Sequence, residues 1–292
     1  VRLIVQACIL GLLTGGVYAL MASGLTLAFG IMRVINVAQG AFIILGAYLS
    51  YSAFTVFRID PFLSILLITP LVFALGVTVQ LIFIRPLRTD EREALSLLVM
   101  WAIAMGVEGV LSLLYKTTYR STITKYANAS WRIGGYHVSE VRVFAFAMSI
   151  SILMLLYLLL TRTRFGRAIR ATVQNPVSAA LLGIDGPRIA ALGFGVSVAT
   201  ASAAGAVYGL LFPFNPGSHY DLISRLLSIV VLGGMGSLGG AVIAALFMGV
   251  AEAVLSATIS PTWSSLTFFI ALIVILVVRP QGLFGVKERG AL

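Results

Sequence analysis

The sequence predicts an all-α fold: one polytopic transmembrane bundle of about eight or nine spans, with broken or re-entrant helices. Three observations predict it. Of 292 residues, 60% are hydrophobic and only 10% charged, and the mean hydropathy is +1.05; soluble domains are about 45–50% apolar and about 25% charged. The apolar residues form continuous runs, not alternating strands of about ten residues, which excludes a membrane barrel. The runs are bounded by charges, Pro and Gly. Disordered chains are poor in apolar residues, so disorder is excluded too. Spans on this scale use roughly 160–180 residues. Residues 1–292 therefore read as a single transmembrane domain with no soluble domain.

The first span is Leu3–Ala22, which lacks the charged start and cleavage site of a secretory signal. A glycine-containing stretch, Ser23–Gly30, follows without a charge. Val34–Phe57 lies between Arg33 and Arg58, and Pro61–Ile84 opens on a proline and closes on Arg85. Ala94–Tyr115, Val143–Thr161 and Ile189–Phe212 come next, each following a charge. Leu222–Leu232 runs into a glycine cluster, and Gly240–Ile259 follows. The last run is Thr262–Val278. The polar loop Lys116–Arg142, with Tyr119, Tyr126, Trp131 and Tyr136, reads as a short external cap at a membrane–water interface.

The net charge of +10 would suggest nucleic acid in a soluble protein, but in a membrane chain it reports sidedness. Parity puts Arg85, Arg88, Arg92, Arg162, Arg164, Arg167, Arg170, Arg188, Arg279, Lys287 and Arg289 on one side. Arg58, Lys116, Arg120, Lys125, Arg132, Arg142 and Arg225 fall on the other. The richer side is expected to be cytoplasmic, with the C-terminus on it. Arg2 and Arg33 stay unassigned, because Ser23–Arg33 reads either as part of a crossing or as a re-entrant dip.

Four features carry chemistry. In Arg162–Arg188 the residues Phe165, Ile169, Val173, Val177 and Leu181 recur every four positions, with arginines off that stripe. This is an amphipathic helix, divided by Asn175–Pro176 and stopped near Gly183. It suits either an interfacial helix resting on anionic membrane lipid or a docking element for a cytoplasmic partner. In Leu232–Gly240, five glycines in eight positions break a helix. Such a break either presents half-helix ends to a solute or serves close helix packing. Gly24–Ser50 places Arg33, Asn36 and Gln39 between apolar flanks, as pathway groups or as partners of neighbouring helices. Its Gln39-Gly40-Ala41-Phe42-Ile43 echoes Gly239-Gly240-Ala241-Val242-Ile243. The fourth feature is the pair of acids within spans, Glu108 and Glu252, each a gate, a proton site or a structural partner. The lone Cys8 and the separated His137 and His219, both read as loop residues, suggest no metal site. No phosphate-binding Gly-Lys-Ser/Thr motif and no nucleophile–base arrangement is present, so no enzyme is expected.

The run GLTLAFGIMRVINVAQGAFIILGAYLS resembles the N-terminal signature of bacterial ABC-transporter permeases for branched-chain amino acids, the LivH type. VVLGGMGSLGGAVIAALFMGVAEA is similar to that family's C-terminal signature, TRFGRAIRATVQNPVSAALLGID to its cytoplasmic loop, and VRPQGLFGVKERG to its tail. The resemblance implies a bacterial inner-membrane, binding-protein-dependent import permease for hydrophobic amino acids. Residues 162–188 would hold the loop that couples to the ATPase, through Phe165, Gly166, Ile169, Arg170, Asn175, Ala180 and Gly183. The expected translocation pathway draws on Asn36, Gln39, Gly40, Gly233, Gly234, Gly236, Ser237 and Glu252. The implied partners are a second homologous permease, two ATP-binding subunits that carry ATP and Mg, a periplasmic solute-binding protein and membrane lipid, with no nucleic acid. No cofactor is expected on this chain itself. Related permeases serve other amino acids, amides or urea. The reading from a different class is an ion-coupled secondary transporter using Glu108 or Glu252.

Overall fold

The structure, a computed structural model, describes residues 2–32, 36–87, 92–122, 124, 129–133, 136–279 and 281–284. Arg33, Arg88, Lys125, Tyr126, Lys287 and Arg289 lie outside the described residues. Helices α1 (Arg2–Met32), α2 (Gln39–Phe57), α3 (Pro61–Val79, extended by a π-turn over Gln80–Ile84) and α4 (Arg92–Tyr115) form the first half. A hairpin of β1 (Ser130–Ile133) and β2 (Tyr136–Ser139) precedes α5 (Glu140–Arg162). The short α6 (Arg164–Gln174) and α7 (Pro176–Leu181) follow, then α8 (Gly186–Leu211), α9 (His219–Gly233), α10 (Leu238–Thr258) and α11 (Pro261–Val278). Among the described residues seven helices are long and apolar enough to cross a membrane, and α11 adds an apolar stretch over Leu266–Val278. Within hydrocarbon the backbone must satisfy its own hydrogen bonds, so continuous apolar runs fold as helices.

Contacts fix which ends of the bundle belong together. Gln6 at the start of α1 donates to the His137 carbonyl at 2.6 Å, which puts the start of α1 beside the hairpin. The far end of α1 meets the start of α10, with Gly30 facing Gly236. Thr26, Gly30, Leu160, Ile169 and Gly239 line one groove there, so this end also carries the end of α5 and all of α6. The α1 helix thus runs from the hairpin end to the α6–α7 end without interruption. Ser23–Gly30 is its final stretch, not a separate dip.

Two further boundaries differ from the sequence reading. The α2 helix starts at Gln39, after a turn over Asn36–Ala38; Val34, where the sequence reading opens this span, lies outside the described residues. The α9 helix starts at His219, not Leu222, and carries Arg225 within it, where neighbouring acids match its charge.

Small residues set the packing. A Cβ on Gly11 would stand 2.6 Å from the Gly249 carbonyl oxygen, and one on Gly249 would stand 2.6 Å from that of Gly11. Thus α1 and α10 touch backbone to backbone, as small-xxx-small helices do in membranes. The same happens between α8 and α2, where a Cβ on Gly205 would collide with the Ile43 carbonyl oxygen. The segment Ala199–Ala206 of α8 holds no side chain larger than Thr, and α8 is buried along most of its length.

This predicts that Gly205→Ala destabilises the bundle by about 1–3 kcal/mol, the range for overpacking a filled core. Thermal unfolding in detergent should show a lower Tm for it. Gly239→Ala, whose Cβ would meet nothing within 4 Å, should leave Tm unchanged.

Candidate functional site

Two helices begin inside the bundle. The α9 helix has 15 residues, which places His219 about 21 Å above Gly233 along the axis. Gly233 lies at the α6–α7 end, where its carbonyl accepts from Phe284 at 3.3 Å. His219 therefore lies well inside a hydrocarbon core roughly 30 Å thick, away from the α6–α7 end. The chain reaches that depth through Pro216–Ser218, a single 3-10 turn closed by Ser218 donating to Asn215 Oδ1 at 2.8 Å. The start of α2 lies beside it: a Cβ on Gly40 would stand 2.5 Å from the His219 carbonyl oxygen. Helix N-termini expose unpaired N–H groups and carry partial positive charge.

Asn36 and Gln39 are fully buried at this junction. Asn36 Nδ2 donates to Gln39 Oε1 at 3.0 Å, and Ser197 of α8 donates to the Gly24 carbonyl at 2.7 Å. Among the described residues Asn36 Oδ1 and Gln39 Nε2 find no hydrogen-bond partner. Glu108 of α4 reaches the same level. His219 Nε2 lies 3.1 Å from its Oε2, and the Tyr220 hydroxyl donates to that oxygen at 3.0 Å.

A second polar cluster bridges α1, α9, α10 and α11. Arg225 pairs with Glu252 and donates to Asp221 Oδ2 at 2.8 Å, while the Tyr18 hydroxyl donates to Glu252 Oε2 at 2.8 Å. The guanidinium carbon stands 5.1 Å from the Phe268 ring centre. Toward the hairpin end, Tyr48 stacks on Tyr115 at 4.5 Å and meets Phe214 edge-on at 4.9 Å. Arg120 closes this cap by donating to the Tyr51 hydroxyl at 3.1 Å.

At the opposite end, three caps shape the loop. Thr163 Oγ1 accepts from Gly166 N at 3.2 Å, Asn175 Oδ1 from Ser178 N at 3.0 Å, and Asp185 Oδ1 from Arg188 N at 3.1 Å. Asn175 thus ends α6 and starts α7, with Pro176 in the first helical position and Gly183 at φ 82° after the last. Gly166 packs on the Leu160 backbone, where a Cβ would collide, and Ile169 is buried beneath α6. Arg170 donates to the Leu160 carbonyl. Phe165 is half-buried, while Ala180 and Gly183 are exposed.

The expected pathway residues therefore fall in three places. Asn36, Gln39 and Gly40 lie at the buried junction. Gly233, Gly234, Gly236 and Ser237 form the turn between α9 and α10 at the α6–α7 end, with positive φ at Gly234 and Gly236. Glu252 sits in the ion cluster. The glycines break the helix as the sequence predicts, at the end of the bundle. His219, read as a loop residue, heads α9 and is buried. Its link to Glu108 was invisible in sequence; Pro-Gly-Ser just before an apolar run is the one local signal of a helix start there. Among the described residues no group of three or more His, Cys, Asp or Glu could hold a metal ion.

Membrane-length helices, helix starts buried inside the bundle and an amphipathic two-helix loop at one end define a multi-pass transmembrane permease. The chain belongs to the branched-chain amino acid transport system / permease component family, which it matches over residues 8–277. It is 29% identical to the high-affinity branched-chain amino acid transport system permease protein LivH of Salmonella typhimurium, over 95% of this chain and 94% of that protein. It is 28% identical to the corresponding protein BraD of Pseudomonas aeruginosa, over 97% and 96%. It is also 28% identical to a probable LivH of Methanocaldococcus jannaschii, over 92% and 89%. Among solved structures, PsaBC from Streptococcus pneumoniae in complex with Fab overlaps it with a TM-score of 0.45 and 10% identity, over 96% of this chain and 91% of that one.

Breaking a buried ion pair costs about 3–5 kcal/mol, because one charge is left unpaired. Arg225→Met is therefore expected to lower Tm strongly in detergent. Adding Glu252→Met to it should restore much of the loss, measured by the same unfolding assay.

Proposed function

We propose that this chain is a membrane-spanning subunit of an ATP-driven importer that carries branched-chain amino acids into the cell. Its relatives' names and its family membership support that substrate class. The α6–α7 end and the C-terminus face the cytoplasm, in keeping with the excess of Lys and Arg there. The start of α1 and the hairpin face outward and meet a solute-binding protein. A second homologous permease completes the pore, and two ATP-binding subunits supply ATP and Mg. Of the two acids an ion-driven alternative would use, Glu252 is engaged by Arg225 and Tyr18, and Glu108 by His219 and Tyr220.

The observation that carries the reading is the tip of the loop. Val177 is 71% exposed, Leu181 84% and Leu182 81%, at the end of the bundle that bears the basic loops. An apolar patch rimmed by polar residues outside the membrane marks a protein contact, and a short helix with one apolar face suits a groove on a partner. The α6 helix is the lever behind it. Its backbone contact with α5 at Gly166 and the buried Ile169 hold it against the bundle, so movement of the tip is passed to α5 and α8.

Leu181→Asp with Leu182→Asp is expected to leave the Tm of the isolated chain unchanged and to lower ATP-driven leucine uptake by the assembled complex at least tenfold. Uptake into liposomes and co-purification of the ATPase subunits measure it; normal uptake would exclude docking through α7. Ile169→Asp should instead lower Tm, because that side chain is buried.

A further inference from the structure

Glu108 stands apart from the other membrane-embedded charges. The Arg225–Glu252 pair lies between helices, whereas Glu108 sits on a face of α4 that the bundle leaves open. Met105 and Trp101, one and two turns before it on the same stripe, are exposed, and so is Tyr220 beside it. Cβ atoms on Gly106 and Gly109 would meet nothing within 4 Å. The Glu108 side chain keeps 24% of its surface exposed at the level of His219, inside the span. A carboxylate there is costly against lipid, so this face meets water, solute or protein. Both partners, His219 and Tyr220, contact Oε2. Among the described residues nothing hydrogen-bonds Oε1, and its neighbour is Gly217, which offers no side chain.

We propose that Glu108 Oε1 receives the ammonium group of the transported amino acid inside the membrane, with Trp101 and Met105 bordering its aliphatic side chain. The proposal rests on the reading of the chain as an amino-acid permease. The chemistry is a charge-assisted hydrogen bond from N⁺–H to a carboxylate in a low-dielectric site. His219 and Tyr220 are positioning residues: they occupy one oxygen, orient the carboxylate and leave the other beside Gly217. The ligand class is a primary ammonium with a branched apolar chain. Neutral solutes such as urea or amides lack the cation that would engage Oε1.

The test uses the assembled transporter with its ATPase subunits and binding protein in liposomes. Glu108→Gln keeps the shape and an acceptor for Tyr220 but removes the charge. It is expected to leave assembly and Tm unchanged while leucine uptake falls at least tenfold, and Glu108→Asp should retain part of the activity. Accessibility gives a second readout, in a Cys8→Ser background. Glu108→Cys should react with a membrane-impermeant charged thiol reagent at least tenfold faster than Ser149→Cys, whose position is fully buried. Leucine delivered by the binding protein with ATP should slow that labelling. Unchanged uptake by Glu108→Gln, or no labelling at Glu108→Cys in a folded complex, overturns the proposal. Absence of ATP-driven leucine uptake by the unaltered complex would instead overturn the amino-acid permease reading, which keeps the two failures distinct.

Discussion

The backbone contact between α8 and α2 is the constraint on which the rest of the bundle depends. In hydrocarbon, apolar side chains gain nothing by leaving lipid, so helices associate through close packing and a few hydrogen bonds. The α8 helix meets this condition with Ala199–Ala206, where Gly205 lies against the Ile43 carbonyl and Gly46 of α2 against the Ser202 backbone. Helices this close fix each other's height as well as their distance. The height of α2 puts its first residue, Gln39, level with Gly24 of α1 and Ser197 of α8. The buried helix start thus follows from small residues well away from it.

That arrangement sorts the polar groups inside the membrane into two kinds. Arg225, Glu252, Tyr18 and Asp221 satisfy one another between four helices, and Phe268 covers the guanidinium. Such a cluster specifies how α1, α9 and α10 sit together. Among the described residues Asn36, Gln39 and Glu108 are only partly satisfied: two amide atoms lack partners, and the one carboxylate oxygen that His219 and Tyr220 leave lies beside Gly217. A buried polar atom without a partner costs about 1–3 kcal/mol. Groups left in that condition at the same depth are the places where a polar solute gains most.

Composition and run length made the fold class legible, and the glycine cluster and Asn175–Pro176 made two breaks legible, because each acts through its own backbone. Helix starts inside apolar sequence were not legible in this way. Nothing in the run after Arg33 marks Gln39 as the start of α2; its level is set by Gly24 and Ser197, far away in the chain. The roles of the acids were hidden for the same reason. Glu108 and Glu252 look alike in sequence, and only the fold gives one a buried arginine and the other a histidine, a tyrosine and an open side. The echo between Gln39–Ile43 and Gly239–Ile243 does have a structural counterpart. Gly40 and Gly240 both lie in the first turn of a helix, and both let a carbonyl oxygen of α9 approach, that of His219 and that of Gly233. The depths differ, so the likeness concerns local backbone geometry and not position in the bundle.

The same packing ties the loop at one end to the buried junction. The α6 helix is pinned to the end of α5 at Gly166, and its Thr172 methyl lies close to Gly186, the first residue of α8. The α8 helix is then continuous from Gly186 through Ser197, which holds the Gly24 carbonyl and touches Gln39, to Gly205. A helix with intact hydrogen bonding resists bending over this length, so a displacement at its start is carried to Ser197 more readily than it is absorbed. Coupling between distant sites needs an element with two arrangements of similar energy. The junction has the means for this: Gln39 Nε2 and Asn36 Oδ1 hold no bond that must break before they take new partners. The rigid element and the under-bonded one therefore lie in series, and the weakest hydrogen bonding along that line is inside the membrane.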